Sequence, residues 1–357
     1  MAAAAVASAH RTCGFPGLLA LAGLLGWSAP LLAEDAGPFR HYDDWFEPYE
    51  PSTVGLTQDS DDAGFLDVTV SLQLPLADWQ GPLAGRNQEL DIAFTGRFGF
   101  YMGDARASKP VIGKRLNPKL LWRVQLSDDA ARFASCEKAG AAVFRGRRSD
   151  PCAQYMPDSY LEFAYAHESN GQFIDTEAEY QAARAAALLK DGNADYANDR
   201  LSRGWDYLGI NYKAPTCAAC ESQRYRLSAY AMVRYFLSDG LLEGHKEEWH
   251  SWESDAAEGK ARDKVNGLAV LGKYVRHVCV IDGFACEDSY FRDVKFVLGY
   301  ETGYHEPFRY GTVRAEAGVR LKPLPITIWW QRGYNADLAQ YYKKTTSYGI
   351  AVDIGSF

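Results

Sequence analysis

Two residues near the middle of the chain have the spacing of a nucleophile and its base. In "FAYAHESNGQ", residues 163–172, apolar and small residues alternate before His167, Ser169, Asn170 and Gly171. Such alternation reads as a β-strand, and a strand places residues two apart on one face. Phe163, Tyr165, His167 and Ser169 then share a face. A serine two positions from a histidine on one face can form the nucleophile–base pair of a hydrolase. That pair needs a third group to orient the imidazole. In "SRGWDYLGINY", which follows, Asp206 shares a face with Leu208, Ile210 and Tyr212. Opposite residues of adjacent antiparallel strands lie about 4.5–5.5 Å apart, so Asp206 can stand beside His167. The chain has no G-x-S-x-G, so the nucleophile elbow of common lipases is not the route.

The segments that must position these residues follow one pattern. "LDVTVSLQLPL" sets Leu66, Val68, Val70, Leu72 and Leu74 against Asp67, Thr69, Ser71 and Gln73. "LDIAFTGRFGFY" and "RYRLSAYAMVRYFL" repeat the alternation, with a period of two rather than 3.6. Twelve such segments are expected, at roughly 48–57, 64–76, 88–102, 117–127, 159–169, 204–213, 222–237, 264–277, 288–301, 310–321, 325–334 and 346–357. Most have about the length of a tilted membrane-crossing strand, roughly 9–11 residues. An even number closes an antiparallel barrel with both ends on one side. Several odd-numbered connections are long and polar (103–116, 170–203, 238–263), whereas the even-numbered ones are mostly short, 128–158 excepted. Short periplasmic turns and long external loops are the outer-membrane arrangement. The Ala-rich stretch "EAEYQAARAAALLKDGNADYANDR" interrupts the strand pattern and predicts a short helix or flap in an external loop. The last segment ends the chain at Phe357, as outer-membrane barrels commonly do. A soluble β-protein is the competing fold.

Bulk properties agree. The formal charge of −8 gives no basic field for nucleic acid. After the N-terminus no run of 18 apolar residues occurs, which argues against membrane helices. Residues 1–33 read as a secretory signal peptide: Arg11, then "GFPGLLALAGLLGWSAPLLA", with cleavage near Ala33. The other six cysteines fall in close pairs, Cys136 and Cys152, Cys217 and Cys220, Cys279 and Cys286, which favours disulfides in an oxidising compartment.

In a membrane barrel the apolar strand face meets lipid, so His167, Ser169 and Asp206 project outward near the external end of their strands. Polar residues there mark function, and the substrate that reaches them most easily is a lipid. "HESNG" followed by "SRGWD" resembles the outer-membrane phospholipase A family, whose pattern is H-x-S-N-G and then S-R-x-W-N. The resemblance extends to "PYEPSTVGLTQDS" and to the twelve-strand count. It implies a calcium-dependent serine hydrolase of the bacterial outer membrane. The substrates would be sn-1 and sn-2 acyl esters of phospholipids and lysophospholipids. Ser169 would be the nucleophile and His167 the general base, and Asp206 stands where the family has Asn. It also implies an oxyanion site at the Gly171 amide. Calcium would be held by the Gln172 carbonyl, the Ser202 hydroxyl and Ser108 of a partner subunit, so that the homodimer is the active form. About 29 residues, 173–201, form an insert between Gln172 and Ser202; Asp191, Asp195 and Asp199 could supply ligands of its own. The alternative is a catalytically inactive barrel with a channel or structural role.

Other features carry less. His245 and His250 in "GHKEEWH" lack the H-E-x-x-H spacing of a zinc site. Lys114, Arg115 and Lys119 could meet lipopolysaccharide phosphates, or form a solvated face. Trp122, Trp205, Trp329 and Trp330 read as interface anchors.

Overall fold

A computed structural model describes residues 49–60, 64–80, 87–102, 112–126, 159–215, 225–238, 240–242, 261–277, 291–321, 324–334 and 337–354. The signal segment, all the cysteines, Ser108, His245, His250 and Phe357 lie outside them. The described residues form twelve strands: β1 (Ser52–Asp59), β2 (Phe65–Gln80), β3 (Asn87–Tyr101), β4 (Ile112–Gln125), β5 (Tyr160–Ser169), β6 (Gly204–Pro215), β7 (Tyr225–Phe236), β8 (Gly267–His277), β9 (Phe291–Gly303), β10 (Thr312–Leu321), β11 (Leu324–Tyr334) and β12 (Lys344–Ile354). Each pairs antiparallel with the next, and β1 pairs with β12, which closes the barrel.

Parity along each strand sorts the side chains. Leu72, Ile92, Leu120, Ile210, Leu298 and Ile350 are exposed on the outer wall, while Ser71, Gln73, Asp91, Thr95, Asn117 and Glu162 are buried inside. Apolar outward and polar inward is the arrangement that lipid on one side demands, and it is the architecture of bacterial outer-membrane barrels. No helix among the described residues is long and apolar enough to cross a membrane.

The interior is cross-linked by charge. Arg97 on β3 bonds Asp67 on β2 at 2.6 Å and Asp337 at 2.9 Å. Lys295 on β9 meets Asp353 on β12 at 2.5 Å, and Arg123 on β4 meets Glu162 on β5 at 2.8 Å. Lys114, Arg115 and Lys119 belong to this network rather than to a phosphate site or a solvated face. Lys114 pairs with Asp337, Arg115 with Glu168 at 3.2 Å, and Lys119 with Glu50 at 2.8 Å. Trp122 and Trp330 are exposed on the outer wall as expected. Trp205 and Trp329 have the opposite parity: Trp205 is buried against Tyr341 and Arg262, and Trp329 lies under Arg314.

Boundaries shift where side chains compete with the simple pattern. β1 begins at Ser52 rather than 48, because Tyr49 and Glu50 turn into the lumen to meet Glu162 and Lys119. β4 begins at Ile112, five residues before the expected 117, because the preceding residues continue the ladder with β3, Ile112 opposite Gly99 and Arg115 opposite Arg97. A one-turn helix, Arg262–Val265, occupies the expected start of β8.

The β5–β6 connection holds α1 (Glu177–Asp191), the helix expected from its Ala-rich composition. Thr176 and Glu179 form a capping box at its start, and Gly192, at φ 71°, ends it with a left-handed cap. A 3-10 helix, Ala194–Arg200, follows, and its Asp199 accepts from Tyr101 on β3 at 3.0 Å and from Gln340 at 2.8 Å. Gln340 belongs to the β11–β12 connection, so Asp199 joins elements from distant parts of the barrel.

Placing a cation on the outer wall tests the orientation. Ile210→Arg is expected to lower stability in lipid vesicles by about 2–4 kcal/mol, read from urea unfolding. An unchanged midpoint would mean that this face does not contact hydrocarbon.

Candidate functional site

β5 and β6 run in a register that sets His167 opposite Asp206 and Ser169 opposite Gly204. His167 Nδ1 and Asp206 Oδ1 are 2.7 Å apart. An ionised carboxylate only accepts, so in a neutral imidazole this contact favours the proton on Nδ1 and leaves Nε2 the lone pair a general base uses. Ser169 shares the outward face of β5 with His167. Its hydroxyl makes no hydrogen bond among the described residues, to His167 or to another group. Nucleophile–base contacts are often long in free enzymes and tighten with substrate.

The backbone at His167 is held by an unusual repair. β4 and β5 pair at Leu116↔Ser169, and pairing resumes at Lys119↔Ala166. This register puts Pro118 opposite His167, and proline has no N–H for the ladder. The buried side chain of Asn117 substitutes, donating from Nδ2 to the His167 carbonyl at 2.9 Å. Its Oδ1 accepts from the Tyr207 hydroxyl at 3.0 Å. On the lumen side, the fully buried Glu168 pairs with Arg262 at 2.7 Å and with Arg115. The wall behind His167 and Ser169 is therefore fixed by ion pairs.

Past Ser169, Asn170 pins the chain. Its backbone N–H donates to Arg203 O at 3.0 Å, and its side chain donates to Leu201 O at 2.7 Å and accepts from Arg203 N at 3.0 Å. Gly171 follows at φ 62°, a conformation that strains any residue with a Cβ. Its amide makes no hydrogen bond among the described residues. Ile174 N donates to Arg200 O, and Ser202 N donates to Ile174 O, both at 3.1 Å. Gln172 and Ser202, far apart in sequence, thus lie on two short segments laced side by side.

The structure brings His167, Ser169 and Asp206 to one patch of the outer wall, with Gly171, Gln172 and Ser202 just beyond it. It also adds contacts that the sequence reading lacks. Asp206 faces outward yet is fully buried, because residues 240–242 fold over it. Leu242 N donates to Asp206 Oδ2 at 2.8 Å, and the Tyr165 hydroxyl donates to the same oxygen. A bare carboxylate beside lipid is costly, and these donors offset that cost. Parity put Tyr165 on the right face; a backbone N–H such as that of Leu242 leaves no trace in a sequence.

With this geometry, comparison with solved structures is informative. No family model matches the sequence, and no curated protein matches it. Outer membrane phospholipase A from Escherichia coli matches with a TM-score of 0.51 at 14% identity, over 87% of this chain and 98% of that one. The Salmonella typhi outer membrane phospholipase dimer with bound calcium matches with a TM-score of 0.53 at 13% identity, over 88% and 94%. The chain has the fold of outer membrane phospholipase A. At such identity the likeness establishes the barrel and leaves the chemistry to the residues themselves.

Calcium prefers six to eight oxygen ligands, and neutral carbonyls, hydroxyls and waters serve. The Gln172 carbonyl and the Ser202 hydroxyl make no hydrogen bond among the described residues, and both are oxygens of the kind such a set uses. No cluster of three or more His, Cys, Asp or Glu side chains able to hold a metal occurs among the described residues. Asp199, one of the acids in the 173–201 segment, is already committed to Tyr101 and Gln340.

Removing the Asn117 side chain leaves the His167 carbonyl unmet. Asn117→Ala is expected to cost about 1–3 kcal/mol in vesicle unfolding. Loss of less than half a kcal/mol would show that Asn117 does not stand in for the missing proline N–H.

Proposed function

We propose that the chain is a phospholipase A of the outer membrane, a serine hydrolase of acyl esters in phospholipids and lysophospholipids at both sn-1 and sn-2 positions. The observation that carries this reading is the 2.7 Å contact between His167 and Asp206 on the lipid-facing wall, with Ser169 on the same face. A hydrolase so placed meets acyl esters at the headgroup boundary without drawing the lipid out of the bilayer.

In the first half-reaction Ser169 Oγ attacks the ester carbonyl while His167 Nε2 takes its proton. Asp206 holds the imidazole in its Nδ1–H form and stabilises the imidazolium. The Gly171 amide donates to the oxyanion. His167 then protonates the leaving alcohol, a lysophospholipid or its glycerol product. Water, deprotonated by His167, releases the fatty acid from Ser169. Gln172 and Ser202 would hold calcium beside this centre, and when bound it supplies positive charge that favours the oxyanion. Ser108 of a second copy would complete the ligand set, so the active form is a calcium-linked homodimer. The Salmonella typhi neighbour, described as a dimer with bound calcium, supports this assembly as a proposal for the present chain.

The first test is fatty-acid release from phosphatidylcholine micelles, with calcium and with chelator. His167→Ala is expected to lower kcat by about 10²–10⁴-fold. Ser169→Ala should abolish release and labelling by a fluorophosphonate, and chelation should suppress activity and shift the chain toward monomer. A folded, calcium-loaded dimer that releases no fatty acid would instead be an inactive barrel with a structural or channel role.

A further inference from the structure

The acidic member of the site is enclosed in a way that the hydrolase reading, on which this inference rests, does not require. Asp206 has the parity of Leu208 and Ile210, both exposed on the outer wall, yet its own side chain is fully buried. Among the described residues, four groups converge on it. His167 Nδ1 meets Oδ1 at 2.7 Å. The Tyr165 hydroxyl and the Leu242 N–H, the latter at 2.8 Å, both reach Oδ2. Gly240 lies so close that a Cβ there would overlap the carboxylate. Leu241 and Leu242 turn their side chains outward and exposed, so it is the backbone of this segment that faces Asp206.

The directions of the two hydrogen bonds to Oδ2 are fixed. Leu241 N donates to the Tyr165 oxygen at 2.8 Å, which occupies an acceptor site of the phenol and directs its proton to Asp206. The Leu242 N–H can only donate. Oδ2 therefore faces two donors, and Oδ1 faces a third. An amide cannot satisfy both ends. With its oxygen on His167, an asparagine would point its NH2 at the Leu242 N–H. Flipped, it would point that NH2 at His167 Nδ1 and force the proton to Nε2, the wrong tautomer for a base.

We infer that Tyr165 and the segment Gly240–Leu242 form a three-donor cage, completed by His167, that accepts only a carboxylate at position 206, and that Tyr165 is a positioning residue for the His167 base. Tyr165 acts through Asp206. The cage explains how this chain carries an acid where the family pattern has an amide.

The test uses the full-length protein in mixed phosphatidylcholine–detergent micelles with calcium, comparing wild type with Asp206→Asn, Tyr165→Phe and Gly240→Ala. Three quantities are read: kcat and KM for fatty-acid release, the urea midpoint, and the His167 tautomer from its ring ¹⁵N shifts. Asp206→Asn is expected to lower kcat by about 10⁴-fold with KM little changed, and to move the proton from Nδ1 to Nε2. Tyr165→Phe should lower kcat by about 10–100-fold, again without a matching change in KM, while the barrel unfolds at its normal midpoint. Gly240→Ala, outside any strand, should reproduce the Tyr165→Phe loss by lifting the segment from Asp206. Asp206→Asn within tenfold of wild-type kcat and with an unchanged tautomer would overturn the carboxylate requirement. Unaltered kcat in Tyr165→Phe would overturn its positioning role. The tautomer is measurable without turnover. A wild type that releases no fatty acid but shows the Nδ1–H form, lost in Asp206→Asn, would refute the hydrolase and sustain the cage.

Discussion

Hydrocarbon offers no partner to a backbone N–H or C=O, so each such group on a membrane-crossing strand must be met within the sheet. That constraint governs the rest of the molecule. It closes β1 onto β12 and leaves no edge. Once the ladder is closed, parity decides which side chains meet lipid and which meet the lumen. It also explains the company that Pro118 keeps. A proline in a wall strand removes one donor, and the side chain of Asn117 restores it at the carbonyl of His167. This break in the ladder lies at the candidate site, so the backbone of the site is tied through a side chain that Tyr207 in turn holds.

Charge is treated by the same logic on both sides of the wall. Within the lumen, acids and bases neutralise one another in pairs, as at Arg97 with Asp67 and Lys295 with Asp353. Glu168 is fully buried because three arginines approach it: Arg115, Arg262 and, at 3.9 Å, Arg234. Outside, where pairing partners are scarce, Asp206 is stabilised by three donors drawn from two stretches of chain, β5 and residues 240–242. Burying a charge without such partners would be prohibitive. The outer wall can carry an acid only because a loop has been brought down to cover it.

Much of this was legible in the sequence, and for a physical reason. A barrel strand exposes alternate residues to opposite media, so the period-two pattern in "LDVTVSLQLPL" and "LDIAFTGRFGFY" is written directly by the two environments. The pairing of His167 with Asp206 follows from strand order and parity, which is why those residues could be named in advance. What was illegible depends on contacts across long separations. Lys114, Arg115 and Lys119 looked like a surface patch because their partners, Asp337, Glu168 and Glu50, lie far away in sequence. Trp205 and Trp329 were misplaced by residue type, although parity alone would have turned them inward. The cover over Asp206 is made by main chain, whose hydrogen bonding no residue identity records.

Because His167, Ser169 and Asp206 stand on the outside of the wall, their surroundings are two-dimensional. Molecules reach such a patch by drifting within one leaflet and leave by the same plane, never passing through the charged lumen. For the proposed hydrolase, the quantity that sets encounter frequency is then the number of lipids per unit of membrane area, not their concentration in the surrounding water. Diluting the cell suspension would leave that number untouched, whereas any event that changes which lipids occupy the outer leaflet would alter it at once.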